Sequence, residues 1–126
     1  MRILQIGTQK YTQVICKDEP NSVNGGGACH SYAVLPTEAD FSKDAAGIQL
    51  ATVNFQNGPI KEAGVNGCHN EDLLAIVIDR LEHFQKGSFA CRENALALTK
   101  LEEAMHWLRH RTSAREARGV EGTSQK

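Results

Sequence analysis

Residues 89–112, FACRENALALTKLEEAMHWLRHRT, leave little choice of structure. Ala95, Leu98, Leu101, Met105 and Leu108 recur at steps of 3, 3, 4 and 3, and an α-helix brings that spacing onto one side. Such a stripe has to be covered. Just upstream, Leu73, Leu74, Val77, Ile78, Leu81 and Phe84 recur with the same period, which predicts a second amphipathic helix. Asn70 is a good N-cap for it, Glu71 and Asp72 suit the positive end of its dipole, and Gly87 stops it. The long helix then begins near Phe89 or Ala90, so few residues connect the two and they must be antiparallel neighbours. The long helix runs to about Ala117, with Gly119 as its terminator. Residues 119–126 form a polar tail that needs a partner or a ligand to order it.

The first half of the chain has a different period. RILQI (2–6), YTQVIC (11–16), HSYAVL (30–35) and IQLATVNFQ (48–56) are β-rich runs, separated by the polar GTQK, the turn-forming 17–29 and the polar loop 37–47. HSYAVL, ended by Pro36, is expected to pair antiparallel with IQLATVNFQ. Asn57-Gly58 signals a tight turn, Pro59 restricts how the next segment can pair, and 60–67 reads as a short extended or looped connection. The fold class is therefore α+β: a small antiparallel N-terminal β-sheet followed by a C-terminal antiparallel two-helix hairpin. At 126 residues it reads as a single domain, with 1–67 β-rich, 68–118 the hairpin and 119–126 the tail. Leu96, Met105 and Trp107 add apolar surface beyond what one facing helix covers, which predicts a homo-oligomer with ligand sites at subunit boundaries.

A net charge of −1 and a pI near 6.5 give no global field for DNA or an anionic membrane, so any anion site is local. No run approaches a membrane span and the N-terminus lacks the apolar core of a signal peptide, so the cytoplasm is the expected compartment. Cys16, Cys29, Cys68 and Cys91 are irregularly spaced and are expected as free thiols. The sharper alternative joins Cys29-His30 and Cys68-His69 into a zinc site, but no C-x-x-C pair supports it, and the expectation is no metal.

Arg92 stands out among the polar residues. In the opening turn of a helix a cation costs up to about 1 kcal/mol, so something offsets it. Either Glu93 or a carboxylate of the other helix does so, or a phosphate is held jointly by the guanidinium and the free helix N–H groups. Arg109, Arg111, Arg115 and Arg118, with His106 and His110, gather at the other end of the helix, where cations complement the dipole and a solvated face explains them as well as a ligand does. GVNGCHNEDL (64–73) places Asn66 and Asn70 before a helix N-terminus, either as ligand donors or as an ordinary cap. Three glycines at 25–27 lack Walker or dinucleotide-binding spacing, and no cofactor is expected. No catalytic residue is assigned. Glu102, Glu103 and His106 offer a Mg²⁺ set like that of helical nucleotide pyrophosphatases, although those enzymes carry E-E-x-x-E where this chain has EEAMH.

GGACHSYAV (26–34), GVNGCHNEDLL (64–74) and CRENALALTKLEEAMHWLRHRT (91–112) together resemble the phage anti-Thoeris sponges, whose helical hairpin is shared with the phage anti-CBASS sponge. A-L-T-K-L-E-E-A-x-x-W-L is the most specific part of the likeness. It implies dimers or hexamers that sequester cyclic ADP-ribose isomers, and in some members cyclic di- or trinucleotides, without catalysis. It puts Arg92 foremost as the ligand contact, with Val65 and Asn66 beside it and Lys100, Arg109 and Arg111 after them. The other classes left open are a Mg²⁺-dependent nucleotide hydrolase and a protein-interaction module whose basic tail docks an acidic partner.

Overall fold

A computed structural model describes residues 2–7, 10–20, 26–38 and 49–125. They form two compact units, 1–68 and 69–126. The expected loop 37–47 lies mostly outside the described residues, as do part of the GTQK turn, Gly25 and the start of the last β-rich run at Ile48.

The first unit is an antiparallel meander of four strands, β1 (Arg2–Ile3), β2 (Thr12–Cys16), β3 (Ser31–Pro36) and β4 (Ala51–Asn54), in the order β1-β2-β3-β4. The register pairs Ile15 with Ala33 and Tyr32 with Val53, so the predicted pairing of the third and fourth runs is present. All four strands stay within the predicted runs except that β3 takes in Pro36, the residue expected to end it. The pleat sends alternate residues to opposite faces, and Ile15, Ala33 and Leu35 form the buried core on one of them. Cys16 is also fully buried, on the other face, where Tyr32 meets Phe55 edge-on with ring centres 5.7 Å apart.

Residues 60–67 are not simply extended. α1 (Ile60–Ala63) is a single helical turn set off by Pro59, and the chain then returns so that Cys68 bridges to Phe55 in parallel. Gly67 permits this close pass: a Cβ there would lie 2.4 Å from the Phe55 carbonyl carbon. Asn54 and Gln56 exchange backbone hydrogen bonds with Cys68 at 2.9 and 2.8 Å.

The second unit is the hairpin, α2 (Asn70–Gln85) and α3 (Arg92–Ala117). Asn70 is the first helical residue rather than the cap. His69 takes the cap position, because the Asp72 carboxylate turns back to accept its N–H at 2.8 Å. α2 thus starts one residue earlier than expected, whereas α3 starts two or three residues later than the period implied. The Gln85 amide accepts the Cys91 N–H and donates to the Cys91 carbonyl, both at 3.1 Å. This holds Cys91 extended as the N-cap. At the far end Gly119 has φ +74° and takes the cap-following position as expected, with Val120 N–H donating to Arg115 O and Gly119 N–H to Glu116 O, each at 3.0 Å.

The seam holds Leu98, Leu101, Met105 and Leu108, with Ala104 beside them, but the expected Ala95 is exposed. From α2 it takes Leu74, Ile78, Leu81 and Phe84, while Val77 turns outward. Met105, expected as surplus apolar surface, is instead buried at 8% exposure; Leu96 and Trp107 do remain exposed. Among the described residues no helix is long and apolar enough to cross a membrane.

Candidate functional site

The start of α3 is shaped by short-range hydrogen bonds. Cys91 Sγ accepts the Asn94 N–H at 3.4 Å, and Asn94 Nδ2 donates to the Phe89 carbonyl at 3.2 Å. The N–H groups of Arg92 and Glu93 have no acceptor among the described residues, as the first positions of a helix require. Neither Glu93 nor any carboxylate of α2 pairs with Arg92 there: its guanidinium has no ion pair or hydrogen bond among the described residues, and the side chain is exposed. A cation, two free N–H donors and the positive end of a dipole thus face the same water, an arrangement suited to a phosphate.

The remaining candidates divide by what their side chains already do. Lys100 is paired with Glu103 at 3.7 Å. Arg109 lines a hollow of about 450 Å³ on the hairpin together with Asp79, Glu82, Glu102 and His106. Arg111 is exposed and has no pair among the described residues. Asn70 projects from the first turn of α2, also exposed. In the other unit, Asn66 spends its side-chain amide on Asn57, accepting that residue's N–H at 2.8 Å and donating to its carbonyl at 2.7 Å. Gln56 fixes the same loop by accepting the Asn66 N–H at 2.9 Å and donating to Gly64 O at 2.7 Å. Asn66 therefore shapes the loop, and Val65, 75% exposed, is what the loop presents.

These residues do not converge within one hairpin. At 1.5 Å per residue Arg92 and Arg109 stand about 25 Å apart along α3, too far for one small nucleotide to bridge. The basic end is also not uniform. Arg115 is buried and donates to the Glu121 carboxylate at 3.0 Å, and to the carbonyls of Val120, Thr123 and Gln125 at 2.9, 3.1 and 2.6 Å. The tail described to Gln125 is thus held by the chain's own arginine, not by a partner as the sequence implied. Trp107 stands between His106 and His110, with ring centres 5.3 and 5.8 Å away, forming an exposed aromatic patch beside Arg111.

The Mg²⁺ set does not assemble among the described residues: Glu102 and His106 face the hollow while Glu103 turns to Lys100. Nor does the Cys29-His30 with Cys68-His69 zinc arrangement form. Among the described residues Cys29 gathers with Cys16 and Asp18 instead, and all four cysteines are free thiols, as expected. The sequence reading missed Gln85, Cys91 and Gln56 as the residues that shape the two loops. The available signal was positional, since each is a polar residue flanking the end of a periodic run.

The helical hairpin places the chain in a class. Residues 48–113 match the family described as the Acb2/Tad1 hairpin domain, a stretch longer than half the chain, and the chain belongs to that family. A protein named Thoeris anti-defense 1, from Bacillus phage SBSphiJ7, is 64% identical to it over 84 residues. The match takes in 67% of this chain and 58% of that relative, so the chain spans less than two thirds of the relative's length.

Proposed function

We propose that this chain is a phage anti-defence protein that captures a cyclic nucleotide immune signal and holds it intact. The ligand class is a cyclic ADP-ribose isomer or a cyclic di- or trinucleotide. The observation that carries the reading is Arg92. Its guanidinium is uncommitted among the described residues of a family hairpin and lies beside free N–H donors at the positive end of α3. Capture of a phosphate needs donors that match its oxygens, and the start of α3 offers them.

In this reading Arg92 is the principal contact and Asn70, Lys100, Arg109 and Arg111 are further contacts from the hairpin. Val65, on a loop that Asn66 shapes, is a further proposed apolar contact. Because Arg92 and Arg109 stand about 25 Å apart, roughly 1.5 Å for each helical residue, they belong in this reading to two partial sites, each completed by another copy in a homo-oligomer, a dimer or a hexamer. Exposed Leu96, Trp107 and Ile76 on the hairpin are the surface on which copies meet.

The test is a release experiment. The protein is incubated with cyclic ADP-ribose isomers and with cyclic oligonucleotides, free ligand is removed, the protein is heat-denatured, and the released material is analysed. Intact nucleotide is the expected result. Degraded product would mean that the acidic hollow at Glu102 and His106 supports hydrolysis instead, and an empty protein would overturn both readings.

A further inference from the structure

On the face of the sheet opposite the Ile15–Ala33–Leu35 core, the register sets Arg2 beside Cys16, Cys16 beside Tyr32, and Tyr32 beside Val53. Directly paired residues share a face, so these four form one row across all four strands. Cys29, in the stretch leading into β3, closes over the row. Both thiols are buried, at 0% and 5% exposure, and Cys16 Sγ, Cys29 Sγ and an Asp18 carboxylate oxygen all lie within 4.8 Å of one another.

We propose that this cluster is a structural zinc site, with the Cys16 and Cys29 thiolates and the Asp18 carboxylate as ligands; His30 stands outside the 4.8 Å set, and its ring takes the fourth position by turning toward the two thiols. A tetrahedral Zn²⁺ with sulfur at about 2.3 Å and carboxylate oxygen at about 2.0–2.2 Å has S···S edges of about 3.8 Å and S···O edges of about 3.5–3.7 Å. Cys16 Sγ and Asp18 Oδ1 are already 3.7 Å apart. His30 Nδ1 lies 4.0 Å from Asp18 Oδ2, on a side chain only 12% exposed.

The surroundings fit a metal. The Asp18 carboxylate accepts the His30 N–H at 3.0 and 3.1 Å and the Ser31 N–H at 3.1 Å, fixing its direction as outer-shell donors fix metal-bound carboxylates. Two thiolates and a carboxylate exceed the charge of Zn²⁺ by one, and Arg2 Nη2, 3.7 Å from Cys29 Sγ, supplies the balancing cation. Without metal both thiols donate to the Asp18 backbone carbonyl, at 3.1 and 3.5 Å. Binding therefore displaces two protons, one from each thiol, as thiolate ligation requires. The site lies in the sheet unit and does not depend on the ligand-capture reading.

The test uses the full chain, reduced, stripped with a chelator and titrated with Co²⁺. Expected are one equivalent bound per chain, a sulfur-to-cobalt charge-transfer band, the intense visible bands of a tetrahedral site, and their displacement by Zn²⁺. Cys16→Ser and Cys29→Ser should each reduce the charge-transfer band by half or more, and the two together should abolish it. Asp18→Asn should weaken binding by more than the roughly 10- to 100-fold that loss of an outer-shell partner costs, and His30→Ala should shift the visible bands. A Cys68→Ser, Cys91→Ser double variant should behave as the parent. Circular dichroism checks that each variant folds; if a cysteine variant does not, the parent, Asp18→Asn and the double variant decide. A parent chain without the charge-transfer band, or one whose band disappears in the double variant, overturns the site. So does a reduced chain that binds no cobalt and instead forms a Cys16–Cys29 disulfide in air.

Discussion

Arg92 sits where its own helix disfavours a cation by a few tenths to about 1 kcal/mol, and no carboxylate among the described residues is paired with it. Replacing it with alanine is expected to lower affinity for the captured nucleotide by about 1.5–3 kcal/mol, the scale of a charged hydrogen bond. Calorimetric titration reads this as a Kd raised about 10- to 150-fold, while the melting temperature holds or rises slightly. Unchanged affinity would show that Arg92 takes no part. Gly67 makes the opposite kind of prediction. A methyl group there meets Phe55 backbone at 2.4 Å, which backbone cannot yield cheaply, so Gly67→Ala should destabilise the first unit by about 1–3 kcal/mol or more in urea unfolding. The two residues were not equally legible. Arg92 shows itself through a charge at the wrong end of a helical period. Gly67 is one of 11 glycines, and nothing in its neighbours tells that Phe55 will pass behind it, because that contact joins positions 12 apart.

At the scale of elements, periodicity located α2 and α3 and the strand runs, whereas their ends were decided by side chains outside the period. Asp72 moved the start of α2 by capping at His69, and Gln85 moved the start of α3 by holding Cys91 extended. The tail is the clearest case. Arg115 looks in sequence like any of the other arginines near it, yet it is the one whose guanidinium is buried among Glu121 and three carbonyls. Arg115→Ala should leave the helical signal of α3 nearly unchanged while releasing 120–125, read as lost hydrogen-exchange protection there and faster C-terminal proteolysis. The expected cost is about 1.5–3 kcal/mol for the charged hydrogen bonds. Arg118→Ala, at an exposed position, should do neither.

For the whole molecule, the hairpin buries too little alone: of its apolar side chains only Met105 is below a tenth exposed, and Trp107 is 66% exposed. If copies meet on this surface, Trp107→Glu should lower the mass measured by light scattering to that of a smaller assembly. It should also weaken nucleotide capture together with assembly, since each partial site lacks its complement. A parent protein that is already monomeric at micromolar concentration would remove the oligomer from the reading. The class of fold was legible at this scale because two periods, 2 and 3.6, occupy separate halves of the chain. The surplus apolar residues Leu96 and Trp107 pointed in the sequence to the proposed oligomer, but the spacing of one chain does not specify which contacts would complete a site. One detail at the start of α3 provides a reporter for this question. Cys91 is exposed, while Cys16 and Cys29 are buried, and it immediately precedes Arg92 in the chain. A thiol-reactive fluorophore should therefore label Cys91 well ahead of those two, and bound nucleotide should slow that labelling, so the rate of a simple alkylation can report occupancy of the Arg92 end of α3 without any engineered tag.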